Sequence, residues 1–209
     1  MTLTWRELPV NKTAEHLLFD EEAHRYELDG RYIPNVTSII KPLSTLDRVP
    51  AEVLARAAER GKAVHKACEL HLLGDLDETT LDDEIAPYFY QFLRFLRESG
   101  FKAEMSERKV HTSRFWYAGT LDLFGQMRTK AALIDIKSPV IMYPSTGPQT
   151  AAYENAMREM DGIPKRKIIY RYGLKLQPDH YELVPFTDPS DFNVFLAMKV
   201  LYHWKEKHA

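Results

Sequence analysis

Two acidic residues and a lysine in neighbouring strand-like segments are the residues of this chain best suited to chemistry. Asp122 lies in the segment YAGTLDLFGQM, and Asp135 and Lys137 lie in ALIDIKS, which follows a short polar turn. Because side chains alternate between the faces of a strand, Asp135 and Lys137 point to the same face, about 7 Å apart. The intervening Ile136 and the preceding Ile134 are expected on the opposite face.

These three charges have two interpretations. Carboxylates on adjacent strands can bind a hard divalent cation such as Mg²⁺ or Mn²⁺, and a lysine beside them can position a water molecule, which is the chemistry of phosphodiester cleavage. The alternative is an ordinary strand with a loose turn at Asp122 and a solvated ion pair between Asp135 and Lys137, because short motifs often match by accident.

Composition limits the class of protein. A chain of 209 residues with 44% apolar and 28% charged side chains predicts one globular domain, 1–209, with 1–48 as an N-terminal hairpin segment. The 30 acidic and 28 basic side chains nearly cancel, so no overall positive charge indicates nucleic acid. A single cysteine, Cys68, excludes an intrachain disulfide and a cysteine-ligated iron–sulfur cluster built from this chain alone.

Hydrophobic periodicity and turn residues predict an α/β fold, in which a mixed sheet is flanked by helices. Asp29 and Gly30 mark a hairpin turn, and Asn35 begins a short helix or turn. The remaining predicted elements are helices over 50–73 and 82–99, strands over 101–112, 115–127 and 131–137, a helix from 148 to about 162, strands over 165–176 and 180–186, and a last helix after 189.

His65 lies on the predicted apolar stripe of the first long helix, which also contains Leu54, Ala57, Ala58, Gly61, Val64, Cys68 and Leu72. It is either a satisfied core histidine or a metal ligand that reaches toward the acidic strands. Arg60 adds a cation one turn earlier. Glu107, in the first strand of the sheet, is either an exposed acid or an additional acid that contacts metal-bound water or orients the ligands.

Polar residues elsewhere indicate contacts with an anion. Gln149 and Tyr153 are four residues apart at the start of a helix, so they share a face that can hold a phosphate, or they form a polar helix surface. Lys165 and Arg166 open a basic cluster that continues through Lys167, Arg171 and Lys175. This cluster is either a nucleic-acid contact or a solvated surface.

Four motifs occur in a fixed order: Arg60-Gly61-x-x-x-His65-x-x-x-Glu69, then Gly119-Thr-Leu-Asp122, then Asp135-Ile136-Lys137, and then Gln149-x-x-x-Tyr153. Together they resemble the PD-(D/E)XK nuclease superfamily. Within it, they resemble the RecB-like exonuclease branch, which includes phage-type recombination exonucleases and the mitochondrial genome-maintenance exonuclease. The segment Asp29-Gly-Arg-Tyr-Ile-Pro-Asn-Val-Thr also resembles phage members of this branch. The resemblance spans residues 24 to 155.

The resemblance implies a restriction-endonuclease-like core with the order αβββαβ, and it implies a role for each motif residue. Asp122, Asp135, the backbone carbonyl of Ile136 and, as the ligand typical of this branch, His65 would bind Mg²⁺ or Mn²⁺. Lys137 would position and activate the attacking water. Gln149 and Tyr153 would hold the nucleic-acid backbone or steady Lys137. We also expect Arg60, Lys165 and Arg166 to contact nucleic acid. Asp122 follows Gly-Thr-Leu rather than the proline of the superfamily motif, as is usual in this branch.

The function implied is a metal-dependent deoxyribonuclease, an exonuclease that acts on single- or double-stranded DNA ends in recombination, repair or replication. The alternatives are a structure-specific endonuclease such as a junction resolvase, and a noncatalytic DNA-binding relative. A single-strand-binding or annealing protein is a candidate partner. The sequence has no glycine–lysine phosphate-binding loop, so no nucleotide cofactor is expected. No signal or membrane-spanning segment is evident, so we expect the cytoplasm of a bacterial or phage-infected cell.

Overall fold

The computed structural model of the chain describes residues 16–20, 23, 25–43, 50–138, 142–164 and 166–208. The strands within these ranges are β1 (Leu17–Asp20), β2 (Arg25–Leu28), β3 (Arg31–Ile33), β4 (Phe101–Thr112), β5 (Tyr117–Met127), β6 (Lys130–Lys137), β7 (Tyr170–Leu176) and β8 (Tyr181–Phe186). The helices are α1 (Val36–Ile40), α2 (Ala51–Leu73), α3 (Ala86–Ser99), α4 (Thr146–Met160) and α5 (Asp191–His208).

A mixed five-stranded sheet forms the centre of the protein, with the strand order β4-β5-β6-β7-β8. β6 and β7 are parallel, and the other neighbouring strands are antiparallel. A parallel pair needs a long crossover connection, and α4 lies in the one between β6 and β7. The protein is therefore an α/β protein with a mixed sheet flanked by helices, as the order of elements predicted.

Two apolar clusters cover the two faces of this sheet. Leu133 of β6 packs with residues of α4 and α5 in one cluster. Ile134 and Ile136 pack with residues of α2 and α3 in the other. Because β6 is buried on both faces, its first part is a continuous apolar run, 131–134, before Asp135. The predicted alternation of side chains along β6 is confirmed.

The three strands β1, β2 and β3 form a separate antiparallel sheet, called here the N-terminal sheet. Asp29 and Gly30, at the predicted turn between β2 and β3, both have positive φ angles (49° and 74°), which is typical of a tight hairpin turn. Asn35 begins α1 by accepting a hydrogen bond from the Ser38 N–H. This region joins the central sheet where the Ala118 N–H of β5 donates to the Pro34 carbonyl, at 3.0 Å.

Several predicted boundaries differ from those of the structure. The second long helix begins at Ala86 rather than residue 82, because a turn at 82–85 precedes it and Pro87 lies in its first helical turn. β5 begins at Tyr117 because the Trp116 N–H closes a turn by donating to Thr112. β7 begins at Tyr170 rather than at 165. No helix in the described ranges is long and apolar enough to cross a membrane.

The predicted apolar stripe of α2 is correct only toward its end. Val64 and Cys68 are buried, as expected, and so is Ala67, which was not on the stripe. Ala58, which was predicted to be buried, is exposed, and Leu54 is only partly covered. The first half of α2 therefore extends beyond the apolar cluster formed with α3.

Candidate metal centre

The acidic residues meet where β5 and β6 stop pairing. The ladder between the two strands runs from Met127–Lys130 to Leu123–Ile134. Beyond the end of this ladder, the Asp122 side chain replaces a backbone acceptor: its Oδ2 accepts a hydrogen bond of 2.6 Å from the Ile136 N–H. One carboxylate oxygen is therefore fixed by the backbone of β6, and the other faces the side chains of α2 and β4.

His65, Glu107 and Asp122 form a compact cluster that can hold a metal ion. One ligand atom from each of the three lies within 4.8 Å of the others. The His65 Nδ1 is 3.5 Å from Glu107 Oε1 and 3.7 Å from Asp122 Oδ1. An imidazole with two carboxylates is a donor set that suits Mn²⁺, and Mg²⁺ when water completes the coordination. The functional interpretation of His65 is thus consistent with its position.

Glu107 reaches this cluster through an unusual backbone conformation. It lies on β4 opposite Asp122, between the paired positions Ser106–Leu123 and Arg108–Leu121. Its φ angle is 48°, in the left-handed region that residues other than glycine rarely adopt. Such strain is found most often at functional sites, where the surrounding structure maintains it. Here it accompanies the placement of the Glu107 carboxylate beside His65.

Asp135 and Lys137 are linked to the start of α4. Lys137 Nζ lies 2.7 Å from Asp135 Oδ2 and donates to Gln149 Oε1 at 3.2 Å. Gln149 Nε2 in turn donates to the Tyr153 hydroxyl, also at 3.2 Å. The two α4 residues therefore support Lys137, and they are buried rather than presented on an open helix surface. The solvated ion pair considered from sequence is wrong, because Asp135 is 1% exposed.

The Asp135 carboxylate is short of partners for so buried a group. Its Oδ2 is close to Lys137 but outside hydrogen-bond geometry, and its Oδ1 has no hydrogen-bond partner among the described residues. Burial raises the pKa of Asp135 to about 6, although the Lys137 ammonium opposes this. A buried carboxylate with an unsatisfied oxygen fits a cation ligand, because a metal ion would stabilise its charged form.

Two opposing effects act on the His65 imidazole. Burial lowers its pKa, but the neighbouring Asp122 and Glu107 carboxylates outweigh burial and raise the pKa to about 9. The His65 Nε2 lies 3.0 Å from the Ile136 carbonyl oxygen, so this nitrogen can donate there while Nδ1 faces the acids. The carbonyl predicted as a metal ligand therefore also orients the histidine, an arrangement common around metal sites.

A cavity of about 430 Å³ contains the whole cluster. Residues to which the sequence analysis gave no role in the site also line the cavity. They come from the N-terminal sheet and α1, from β5, and from α2: Tyr26, Asn35, Val36, Thr37, Thr120, Ala58, Lys62 and Lys66. The Tyr26 hydroxyl lies 2.7 Å from Thr120 Oγ1, so the small sheet contributes a polar wall opposite α2.

The structure does not bring every predicted nucleic-acid residue to this cavity. Arg60 faces α3, where it lies 3.5 Å from Glu84 and over the ring of Tyr88. Arg166 is exposed in the connection from α4 to β7, at the end of the sheet opposite Lys137. Lys165 lies outside the described residues.

The rest of the predicted basic cluster is largely structural. Arg171 is held between Glu154 and Asp191, and Lys175 pairs with Glu182 on the neighbouring strand. Side chains engaged in this way are not available as an open basic surface.

Comparison with protein-family models and with curated proteins finds no match for this chain. The interpretation of the site therefore rests on its geometry and on the motifs in the sequence.

Proposed function

We propose that this protein is a metal-dependent deoxyribonuclease with a restriction-endonuclease-like core, related to the RecB-like exonucleases. The observation that carries the proposal is the convergence of Asp122, Asp135, Lys137, His65 and Glu107 on one cavity. The order of elements from α3 through β4, β5, β6 and α4 to β7 supports the proposed core, because it reproduces the αβββαβ order.

Mg²⁺ or Mn²⁺ would be held by Asp122, Asp135 and His65, with Glu107, which lies beside His65, as a further ligand. The Ile136 carbonyl, which the resemblance implies as a ligand, lies 3.0 Å from His65 Nε2. When bound, the ion supplies two things: a lower pKa for a nearby water and positive charge for the scissile phosphate. The donor set fits this role because it combines a buried, unsatisfied carboxylate oxygen with an imidazole between two acids.

Lys137 is the residue proposed to act on the water. Its ammonium bridges Asp135 and Gln149, so its position is determined from two sides. The Asp135 and Asp122 carboxylates outweigh burial and raise the pKa of Lys137, which keeps it a cation. A fixed cation beside the metal ligands orients water and offsets the negative charge that develops on the phosphate.

An exonuclease is preferred to a structure-specific endonuclease because the four sequence motifs resemble the RecB-like exonuclease branch. The cavity is walled by α2, by the central sheet and α4, and by the N-terminal sheet and α1. The same metal ligands would serve either activity, so the substrate assay below distinguishes the two. A noncatalytic DNA-binding relative is the remaining alternative, and it predicts DNA binding without cleavage.

Degradation of linear and covalently closed circular DNA, each in single- and double-stranded form, tests the proposal. With Mn²⁺ or Mg²⁺ we expect loss of linear DNA, no cutting of circles, and no activity in EDTA. End labels on either terminus report the direction of digestion in the same assay. Cutting of circles would replace the exonuclease with an endonuclease, and an absence of cleavage on all substrates with both metals would contradict nuclease function.

A further inference from the structure

One face of α2 extends the metal centre along the cavity. Six of its residues line the cavity at intervals of three and four positions: Ala58, Gly61, Lys62, His65, Lys66 and Glu69. Such spacing places them on the same side of the helix. Lys62 lies three residues before His65, about 4.5 Å along the helix axis, so its ammonium can reach the space beside the metal ligands.

The cations around the cavity differ in whether an acid already contacts them. Lys137 contacts Asp135, and His65 lies between Glu107 and Asp122. Lys66 Nζ lies 2.8 Å from Glu69 Oε2. Lys62 is exposed and forms no ion pair within the described ranges. Its charge is therefore the one in this cavity that no carboxylate of the described residues offsets.

The surface next to Lys62 is formed by small residues. Ala58, one turn earlier, has only a methyl group, and Gly61 has no side chain. A Cβ atom added at Gly61 would be in van der Waals contact with Ser138 Oγ, at 3.4 Å, so α2 lies close to the end of β6 there. An extended chain with evenly spaced negative charges fits a small-residue surface with one uncompensated cation.

We propose that Lys62 binds a backbone phosphate of the nucleic-acid strand, next to the phosphate that faces the metal ligands. The Lys66–Glu69 pair, one turn further along, keeps the second lysine from making an equivalent contact. This inference rests on the proposed function, because it assigns one contact of the same substrate. It places the strand along α2.

Salt dependence of binding tests this contact without measuring cleavage. A dye-labelled single-stranded oligonucleotide is titrated with the Lys137→Ala protein and Mn²⁺, and fluorescence anisotropy gives Kd over a range of KCl concentrations. Each phosphate contact contributes about 0.7 to the slope of log K against log salt for single strands. We expect Lys62→Gln, added to this background, to reduce the slope by about 0.7 and to weaken binding at low salt.

Three matched variants determine whether the effect belongs to Lys62 in particular. Lys66→Gln should leave the slope unchanged, and Lys207→Gln, on the exposed end of α5, is the control for loss of one positive charge. Glu69→Gln should increase the slope by about 0.7, because it removes the carboxylate that Lys66 contacts.

The failure of this contact can be distinguished from the failure of the proposed function. Salt-dependent binding by the parent with an unchanged slope in Lys62→Gln would overturn the Lys62 assignment alone. Equal reductions in the Lys62, Lys66 and Lys207 variants would also overturn it, because they would indicate a general charge effect. No binding by the parent at low salt would contradict both the contact and the nuclease proposal.

Discussion

At the scale of single residues, the site depends on charges that stabilise one another. Asp122 is fixed by the Ile136 N–H, Asp135 by Lys137, and Lys137 by Gln149. The side chains of Asp122, Asp135 and Lys137 are 10%, 1% and 25% exposed, so the loss of one leaves its partner with little compensation from solvent. A variant can therefore lose activity because a reacting group is missing or because its charged partner is destabilised. Only variants that stay folded distinguish these two causes.

Lys137→Ala and Asp122→Ala should each abolish detectable cleavage, a loss of at least about 100-fold, because a positioned catalytic group contributes that much. Both proteins should retain the circular dichroism spectrum of the wild type. The measurement is the rate of release from end-labelled DNA with Mn²⁺. Full activity of a folded Lys137→Ala protein would refute the role given to that lysine.

Glu107→Gln should weaken Mn²⁺ binding by roughly tenfold or more, because it removes a carboxylate charge beside His65 while keeping the side-chain shape. Titration calorimetry with Mn²⁺ measures the change. Glu104→Gln is the matched control, since Glu104 is an exposed acid on the same strand. If the two variants bind Mn²⁺ equally well, Glu107 does not take part in holding the ion.

The sequence predicted the central acids and the lysine because a short motif contains them, and it predicted His65 because of its spacing from Gly61 and Glu69. It did not predict Tyr26 or Lys62. Tyr26 alternates like any residue of a hairpin strand, and Lys62 is an ordinary lysine within a long helix. Their role in the cavity depends on how separate elements pack, which local patterns do not encode.

At the scale of elements, one close contact between α4 and β5 affects the position of the proposed catalytic groups. A Cβ atom added at Gly119 of β5 would lie 2.5 Å from Cε1 of the Tyr153 ring. Glycine at this position therefore lets the Tyr153 ring lie directly against the strand. Since Tyr153 supports Gln149, and Gln149 supports Lys137, the spacing between α4 and β5 affects the position of the lysine.

Gly119→Ala should destabilise the protein by about 1–3 kcal/mol, the usual cost of an overpacked interior, and should lower kcat because Tyr153 is displaced. Chemical denaturation and single-turnover cleavage measure the two effects. Gly61→Ala is the comparison: its nearest contact would be an ordinary 3.4 Å, so we expect α2 to gain about 0.5–1 kcal/mol from the better helix former. If the Gly119→Ala and Gly61→Ala proteins are equally stable, the close packing of Tyr153 against Gly119 does not contribute to stability as proposed.

Element types were predictable, whereas several element ends were not. The start of α3 depends on a turn at 82–85, and that of β5 on the contact between Trp116 and Thr112. The outer half of α2 was predicted to be buried because alanine and leucine recur at helical spacing. No element of the described residues covers Ala58, and periodicity alone does not reveal whether such a neighbour exists.

At the scale of the whole molecule, the metal centre links stability to pH. The pKa of Asp135 is raised from 3.8 to about 6, and that of His65 from 6.5 to about 9. Both groups bind protons more tightly in the folded state than in the unfolded one. In the absence of metal, the contribution of Asp135 is therefore lost as pH rises from about 4 through 6, and that of His65 as pH rises from 6.5 through 9.

A divalent ion binds the deprotonated forms of Asp135 and His65. It should therefore stabilise the protein most at pH values where these two groups have lost their protons. We expect the increase in Tm caused by Mg²⁺ to be small at pH 5.5 and to grow steadily up to pH 8.5. Differential scanning fluorimetry, with an EDTA control at each pH, measures this increase. A Tm increase that does not depend on pH would contradict binding of the ion at Asp135 and His65.

The hydrogen bond between Pro34 and Ala118 joins the two sheets that form opposite sides of the cavity. One side of the cleft belongs to the small N-terminal sheet and α1, whereas the acids and Lys137 belong to the large sheet. The width of the cavity therefore depends on how the two sheets pack against each other. If the proposed function is correct, substitutions that reshape β2, β3 or the turn between them will change which nucleic-acid strands enter the cavity, and they will leave the proposed hydrolytic groups in place.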